Sequence, residues 1–415
     1  MPIGTTLLDD IAGAARAMSA GVDPVGFFTR RADDLHPVRV TFPGLGAVEF
    51  FGSESAARVL LSLPSDTCAA PTPNPIEPIV GSNSLILQSG GAHRRQRTRL
   101  MPTFHAGRIR EYAEVVRSVT AEQIAELHAG DHLSLRRLST GIALDTAVRT
   151  LFGISDPDRR GCYATAITAL MSANTAPLML VPPLRRSIRG HGPWARLMTL
   201  RDDLDRMLRE DLGDGGADAF DQWRTLLAAG HETTATALFW GLYRIHRHDH
   251  VRRRLLAELD TAADPDQLGA LPYLGAVVKE VLRMHPPVPV VLRRLRSPTR
   301  IDAVSMDRGQ IAGIALYALH FNSGNWPDPH RFDPDRFLGE RPSPFRYAPF
   351  GGGHRRCIGA GLAGTELSVA IGTIMTTLEL GAPTDRDRPV PRSVARGIAV
   401  APARDTHLPV MGRRS

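Results

Sequence analysis

Apolar positions recur at helical spacing through most of the stretch from about residue 93 to residue 284, whereas strand-like runs are confined to two short regions. Pro182-Pro183 and the run DLGDGGAD at 211–218 interrupt the helical pattern. Residues 38–51, VRVTFPGLGAVEFF, hold two β-like runs around a Pro-Gly turn, which predicts a hairpin. A second β-like region covers 288–315, with turns at Ser297-Pro298 and Arg308-Gly309. Residues 325–350 are rich in Pro, Asp and aromatics, have no consistent period, and read as ordered coil. So long a structureless stretch inside a compact domain usually serves a function. Residues 360–377 are again helix-forming, and neither an internal repeat nor a low-complexity linker occurs. The pattern predicts a mainly α fold with a small β portion, organised as one domain over 1–415.

Composition narrows the class. The hydrophobic fraction of 43% is ordinary for a globular chain. No apolar run approaches the about 18 residues that span a bilayer. The first residues, MPIGTTLLDDIAGAARAMSAG, carry Asp9 and Asp10 and no basic run. Neither a secretory signal nor a membrane anchor is therefore expected. Cys68, Cys162 and Cys357 are far apart and form no CxxC pair, against a disulfide framework or a Cys-rich zinc site. A cytoplasmic location is expected. The formal charge is +7 and the basic residues are arginine throughout, except Lys279. No basic run is interleaved with aromatics, so a nucleic-acid partner is not expected.

Candidate chemistry gathers around Cys357 in FGGGHRRCIG, residues 350–359. The glycines permit sharp turns and close approach to a flat partner. The basic side chains and amide N–H groups favour thiolate over thiol, and the positive end of the following helix points at the sulfur. A thiolate there is a nucleophile or a metal ligand; the loop alone leaves both open. In residues 226–243, LLAAGHETTATALFWGLY, Gly230, Thr233, Ala237 and Gly241 form a stripe of small residues. Such a stripe admits a flat group, or alternatively a closely packed second helix. Glu232-Thr233 is an acid beside a hydroxyl, able to relay protons, although a mid-helix Thr also back-bonds to a carbonyl. Glu280 and Arg283 share a helical face just before Pro286-Pro287, and Arg336 in FDPDRF can complete their hydrogen bonding if they are buried. That role is structural. His93 and Arg97, spaced i, i+4, offer two donors to one anion, with Arg94, Arg95 and Arg99 pointing elsewhere; a solvated basic face has the same spacing.

In this order, the FGGGxRxCxG loop, the AGxET helix, the ExxR helix and the PxRF coil resemble the cytochrome P-450 superfamily, in its soluble bacterial-type form. The resemblance covers nearly the whole chain, from residue 38 to beyond Cys357. It implies the cytochrome P-450 fold, with haem b between the I helix and the Cys-loop/L helix. Cys357 then corresponds to the axial ligand of the haem iron, where a thiolate favours O–O cleavage. His93, Arg97, Arg293 and Arg355 correspond to the residues that meet the haem propionates, with Arg294 a weaker candidate beside Arg293. Thr233 and Glu232 correspond to the catalytic pair that holds dioxygen and an ordered water and delivers protons. Glu280, Arg283 and Arg336 match the structural triad.

The implied activity is insertion of one oxygen atom of O2 into a lipophilic small molecule, by hydroxylation or epoxidation. Tailoring of a terpenoid or polyketide in secondary metabolism is the expected setting. By analogy, substrate contacts come from 79–87, 169–183, the I helix and 288–292, which are mainly apolar. Electrons come from NAD(P)H through an external ferredoxin reductase and ferredoxin, docking on the basic surface of His354, Arg356 and the outward arginines of 94–99. A monomer without membrane insertion is expected. Two other readings keep the haem: a peroxygenase or oxidative coupling or rearrangement enzyme, and a non-catalytic haem-binding or sensing protein. The intact Glu232-Thr233 pair speaks against both. The chain departs from the family pattern between Arg206 and Leu226, which is short for the approach to an I helix, and at His354, where Pro is common.

Overall fold

The computed structural model describes residues 16, 18–34, 36–42, 44–173, 178, 184–187, 189–261, 265–339, 341–396 and 399–414. The expected interruption at Pro182-Pro183 and much of the 169–183 stretch lie outside them. The main helices are α1 Gly90–Leu100, α2 Ala106–Gln123, α3 Leu135–Phe152, α4 Pro157–Ala173, α5 Pro193–Leu212, α6 Gly216–Arg247, α7 Pro272–Met284 and α8 Ala360–Thr377. Strands β1 Val38–Phe42, β2 Gly46–Phe51, β3 Cys68–Ala69, β4 Val290–Leu295 and β5 Ile311–Ala315 form one sheet in the order β1-β2-β5-β4-β3. The β1–β2 hairpin is antiparallel, with Val40 opposite Val48, and β2 runs parallel to β5 with Val48 opposite Ile311. In the antiparallel β4–β5 pair, Arg293 stands opposite Ala312. A separate hairpin joins β6 Ser393–Arg396 to β7 Ala399–Pro402. The architecture is mainly α with a small β portion, as expected. No helix among the described residues is long and apolar enough to cross a membrane.

The run DLGDGGAD does not form an element of its own. Asp211 and Leu212 end α5, Gly213 turns the chain with φ +83°, and α6 begins at Gly216 with φ +73°. Both angles lie in the left-handed region that favours glycine. Helix α6 therefore starts ten residues before the apolar stretch that announced it. The sequence between Arg206 and Leu226 is short because two helices join directly.

Helix α6 passes between two hydrophobic clusters. Its C-terminal half carries Leu238, Phe239, Trp240 and Leu242 into a central core shared with Val277 and Val281 of α7 and Ile371 and Ile374 of α8. Its N-terminal half places Phe220, Leu227 and Ala228 against Leu144 and Val148 of α3, Ile167 of α4 and Leu204 of α5. A helix buried on nearly all sides is a core element, and side-chain packing stabilises it more than propensity does.

The ordered coil is held by the acid and arginine of the ExxR motif. Glu280 and Arg283 have no solvent exposure, and the guanidinium donates to the carboxylate from Nε (2.7 Å) and Nη2 (2.9 Å). The Asp333 amide donates to Glu280 at 2.9 Å, and Arg336 Nε lies 3.6 Å from the same carboxylate oxygen. Arg283 also donates to the carbonyls of His320 (2.8 Å) and Pro329 (2.9 Å). His320 Nε2 accepts from the Ala348 amide at 3.1 Å, so its proton sits on Nδ1, which donates to the Arg283 carbonyl at 3.0 Å. Phe350, two residues after Ala348, accepts through its carbonyl from the Cys357 amide at 2.9 Å. The buried pair thus reaches the cysteine loop through hydrogen bonds joined by the short covalent stretch from Ala348 to Phe350.

Removing one member of such a pair strands the other charge. Glu280→Ala is expected to destabilise the fold by about 3–5 kcal/mol, read from urea unfolding.

Candidate functional site

The cysteine loop is a set of tight turns seated on helix Glu54–Ser62. Gly351 and Gly353 adopt φ +63° and +62°. A Cβ at Gly353 would lie 2.0 Å from the Leu61 carbonyl oxygen, and one at Gly352 would lie 3.0 Å from Leu61 Cβ. At these two positions the close approach anticipated from the glycines is to this helix, not to a flat partner.

Cys357 is exposed, yet protein surrounds its sulfur on most sides. The electrostatics also differ from the sequence expectation. Burial raises the thiol pKa, and a hydrogen bond from the Gly359 backbone and the charges of Arg356 and Arg97 offset this only in part. Desolvation disfavours the charged form more than these groups favour it. The loop by itself keeps a thiol; a thiolate requires a further positive partner at the sulfur.

Four of the expected anion-binding residues converge beside this loop. His93 is buried, its Nδ1 has no hydrogen-bond partner, and its ring meets His354 edge-on at 5.9 Å. Its pKa is held down to about 4, first by burial and then by Arg355, His354, Arg97 and Arg293. Arg293 is buried and its pKa is pushed down to about 10 by burial and by Arg355. Arg97 donates to the Arg356 carbonyl at 2.8 Å, and Arg94, Arg95 and Arg99 are exposed as expected. Arg294 is engaged elsewhere, with the Gly309 and Thr72 carbonyls, which leaves Arg293 as the arginine of this group. Among the described residues, no carboxylate is among the main charges acting on His93, Arg97, Arg293 or Arg355. Three arginines, with the neutral His93 as a further donor, are complementary to a bound group with more than one acid.

Helix α6 supplies the facing wall. Leu226, Ala229, Gly230 and Thr233, spaced i, i+3, i+4, i+7, are half-buried on a helix otherwise largely enclosed. A Cβ at Gly230 would meet only Leu151, at 3.9 Å. Leu151, Leu226 and Ile358, the residue after Cys357, pack on one small cluster of Phe104, Tyr112 and Leu362. The open part of α6 and the cysteine loop therefore share a border.

The stripe read from the sequence divides in two. Gly230 and Thr233 face the open side, whereas Ala237 is buried and a Cβ at Gly241 would lie 2.9 Å from Ile371 of α8. Close helix packing accounts for the Gly241 half of the stripe, and the Gly230 half is left open. Thr233 donates to the Ala229 carbonyl at 2.7 Å, the back-bonded arrangement. Burial pushes the Glu232 carboxyl up to about 7, with Arg396 the opposing influence, and Glu232 Oε2 has no hydrogen-bond partner.

Of the apolar residues expected to line the site, Leu85, Leu87 and Leu178 are buried, whereas Ile86, Val290, Val291 and Leu292 are half-buried and offer surface. Leu180 lies outside the described residues. Sequence reasoning missed Arg396, which the β6–β7 hairpin brings to Glu232 from far along the chain. It also missed Asp221, Gln222 and Thr225, polar residues buried on the first turns of α6. Their signal was present, since a polar run at the start of a core helix demands partners.

The cysteine loop, the cluster of His93, Arg97, Arg293 and Arg355, and the Glu232-Thr233 stretch of α6 together form the candidate site. A family model for cytochrome P450 matches residues 217–408. "Putative cytochrome P450 138" of Mycobacterium tuberculosis is 29% identical, over 94% of this chain and 91% of that protein. "Putative cytochrome P450 135B1" of the same species is 28% identical, over 89% of this chain and 84% of the relative. Among solved structures, a 6-coordinated cytochrome P450 from Thermus thermophilus superposes with a TM-score of 0.75 at 21% identity, covering 95% of this chain and 99% of that one. Retinoic acid-bound cyanobacterial CYP120A1 gives 0.76 at 20%, covering 88% and 89%. Over most of its length the chain is similar to cytochrome P450 proteins, in sequence and in fold.

Glu232 provides a check on this geometry that does not require turnover. With its pKa raised from 4.5 to about 7, the folded chain holds the proton more tightly than the unfolded one. The stability this contributes is complete below pH 4.5 and is lost as pH rises through about 7. The unfolding free energy of the parent should fall across this window more steeply than that of Glu232→Gln, measured by denaturant titration at a series of pH values.

Proposed function

We propose that the chain inserts one oxygen atom of O2 into a lipophilic small molecule, by hydroxylation or epoxidation, acting as a single domain over 1–415. The observation that carries the reading is the group of His93, Arg97, Arg293 and Arg355, crowded beside Cys357 with no carboxylate acting on it. Two propionates of haem b would supply the missing negative charge, with the unpartnered Nδ1 of His93 and Nε of Arg355 as free donors. Cys357 would hold the haem iron, which would be the positive partner its thiolate requires. When bound, the haem supplies the activation of dioxygen with two electrons from outside.

The remaining roles fall to the chain's own residues. Gly230 and Ala229 leave α6 low enough for a flat group to lie beneath it. Thr233 would turn its hydroxyl from the Ala229 carbonyl to hold oxygen and water on that side. Glu232, neutral below about pH 7, would feed protons toward that hydroxyl. Ile86, Val290, Val291 and Leu292 supply apolar surface for the substrate. Such a wall suits a terpenoid or polyketide, and tailoring of these compounds in secondary metabolism is part of the proposal.

The exposed Arg94, Arg95, Arg99 and Arg356 beside the cysteine loop would receive an acidic ferredoxin, itself reduced from NAD(P)H by a ferredoxin reductase. A monomeric, cytoplasmic enzyme completes the reading. The test is the absorption spectrum of the haem-loaded, reduced, CO-bound protein. It should report thiolate ligation in the parent and lose that signature in Cys357→Ser; retention in the variant overturns the assignment. Reversing Arg94 and Arg95 to Glu should slow reduction by ferredoxin at least tenfold at low salt and leave azole-binding spectra unchanged.

A further inference from the structure

The segment 81–89 spans the gap between α6 and the cysteine loop, and side chains hold it at both ends. On the α6 side, Gln222 accepts from the Leu85 amide (3.0 Å) and donates to the Asn83 carbonyl (2.6 Å). Asp221 accepts from the Asn83 amide at 2.9 Å, and the Thr225 and Ser84 hydroxyls are hydrogen-bonded at 2.7 Å. All four side chains are buried. Asp221 is charge-paired with Arg224, which also binds Asp205 of α5. Gly81, with φ +81°, leaves room for the Asp221 carboxylate, which a Cβ there would meet at 1.8 Å.

At the other end, Arg355 donates to the Ile86 carbonyl (3.1 Å), the Ser89 hydroxyl (2.9 Å) and the Gln88 carbonyl. One end of the segment thus hangs from α6 just before its open face of Leu226, Ala229, Gly230 and Thr233. The other hangs from the arginine two residues before Cys357.

We infer that Gln222, with Asp221 and Thr225, is a latch that pre-assembles segment 81–89 as the side wall of the cleft, making Gln222 a positioning residue for substrate selection. The inference rests on the site reading given under Proposed function. Buried amides of an irregular segment need partners, and here α6 side chains supply them. The wall is therefore set by the same helix that carries Glu232 and Thr233, so its half-buried face, including Ile86, keeps a fixed distance from them. Arg355, grasping the far end with two of its nitrogens, links the wall to the anion-binding group. A wall held in this way discriminates ligands by shape because ordering it costs nothing at the moment of binding.

The test compares Gln222→Ala and Gln222→Glu with the parent as haem-loaded full chains. Gln222→Ala should keep the reduced, CO-bound spectrum and raise amide exchange at Asn83 and Leu85 by roughly tenfold or more. It should weaken 4-phenylimidazole by roughly tenfold while imidazole binds as before, because only the larger probe reaches the wall. Gln222→Glu, which keeps the acceptor for Leu85, should fall between. Unchanged exchange overturns the latch. Faster exchange with both azoles unchanged, or weakened equally, overturns the positioning role. Loss of the CO-bound spectrum in Gln222→Ala alone overturns it too, by making the residue part of the haem pocket. A parent without that spectrum strikes the site reading instead, and the exchange rates still decide the latch.

Discussion

The buried Glu280–Arg283 pair is the constraint on which the rest of the structure depends. Two opposite charges without solvent exposure are tolerated only when every remaining donor and acceptor finds a partner. Here the partners are backbone groups of the coil: the amide of Asp333 and the carbonyls of His320 and Pro329. Satisfying the pair therefore organises a stretch of chain with no periodic structure of its own. His320 extends this order to Ala348, and the turns that follow deliver Cys357. A cysteine on an irregular loop is held in place because an ion pair on a regular helix is too costly to leave unpaired.

The site is built from groups unfavourable in isolation. Burial raises the Cys357 thiol, lowers His93 and Arg293, and holds Glu232 near neutrality. Each shift favours the uncharged form, and a ligand of complementary charge would reverse those at the cysteine and the cations. Pre-organised polar groups of this kind cost folding stability and return it when the bound group arrives. Helix α6 makes the arrangement possible by changing its surroundings along its length. It is enclosed by α7 and α8 at one end, clasped to segment 81–89 at the other, and open only between.

Much of the fold was legible in the chain. Helix α8 begins and ends where its apolar pattern predicts, at Ala360 and Thr377, and both β-like regions contain strands. The ExxR pair and the direction of Arg94, Arg95 and Arg99 away from His93 also agree with the structure. Less legible were the direct joining of α5 to α6, which hangs on two glycines in the left-handed region, and the division of the small-residue stripe. Spacing alone cannot tell a glycine that makes room for a cofactor from one that makes room for Ile371.

What the sequence by itself determined is local: the period of each helix, the turns the glycines allow, and the ordered motifs that carry its resemblance to the cytochrome P450 superfamily. These depend on residues a few positions apart, whose relative directions the backbone dictates. The tertiary structure alone decided that the cysteine loop favours a thiol, that three arginines and a neutral histidine crowd together with no carboxylate of the described residues acting on them, and that Gln222 grips a segment 137 residues away. Burial and electrostatic fields sum over everything nearby in space, and the groups that matter most here are far apart along the chain.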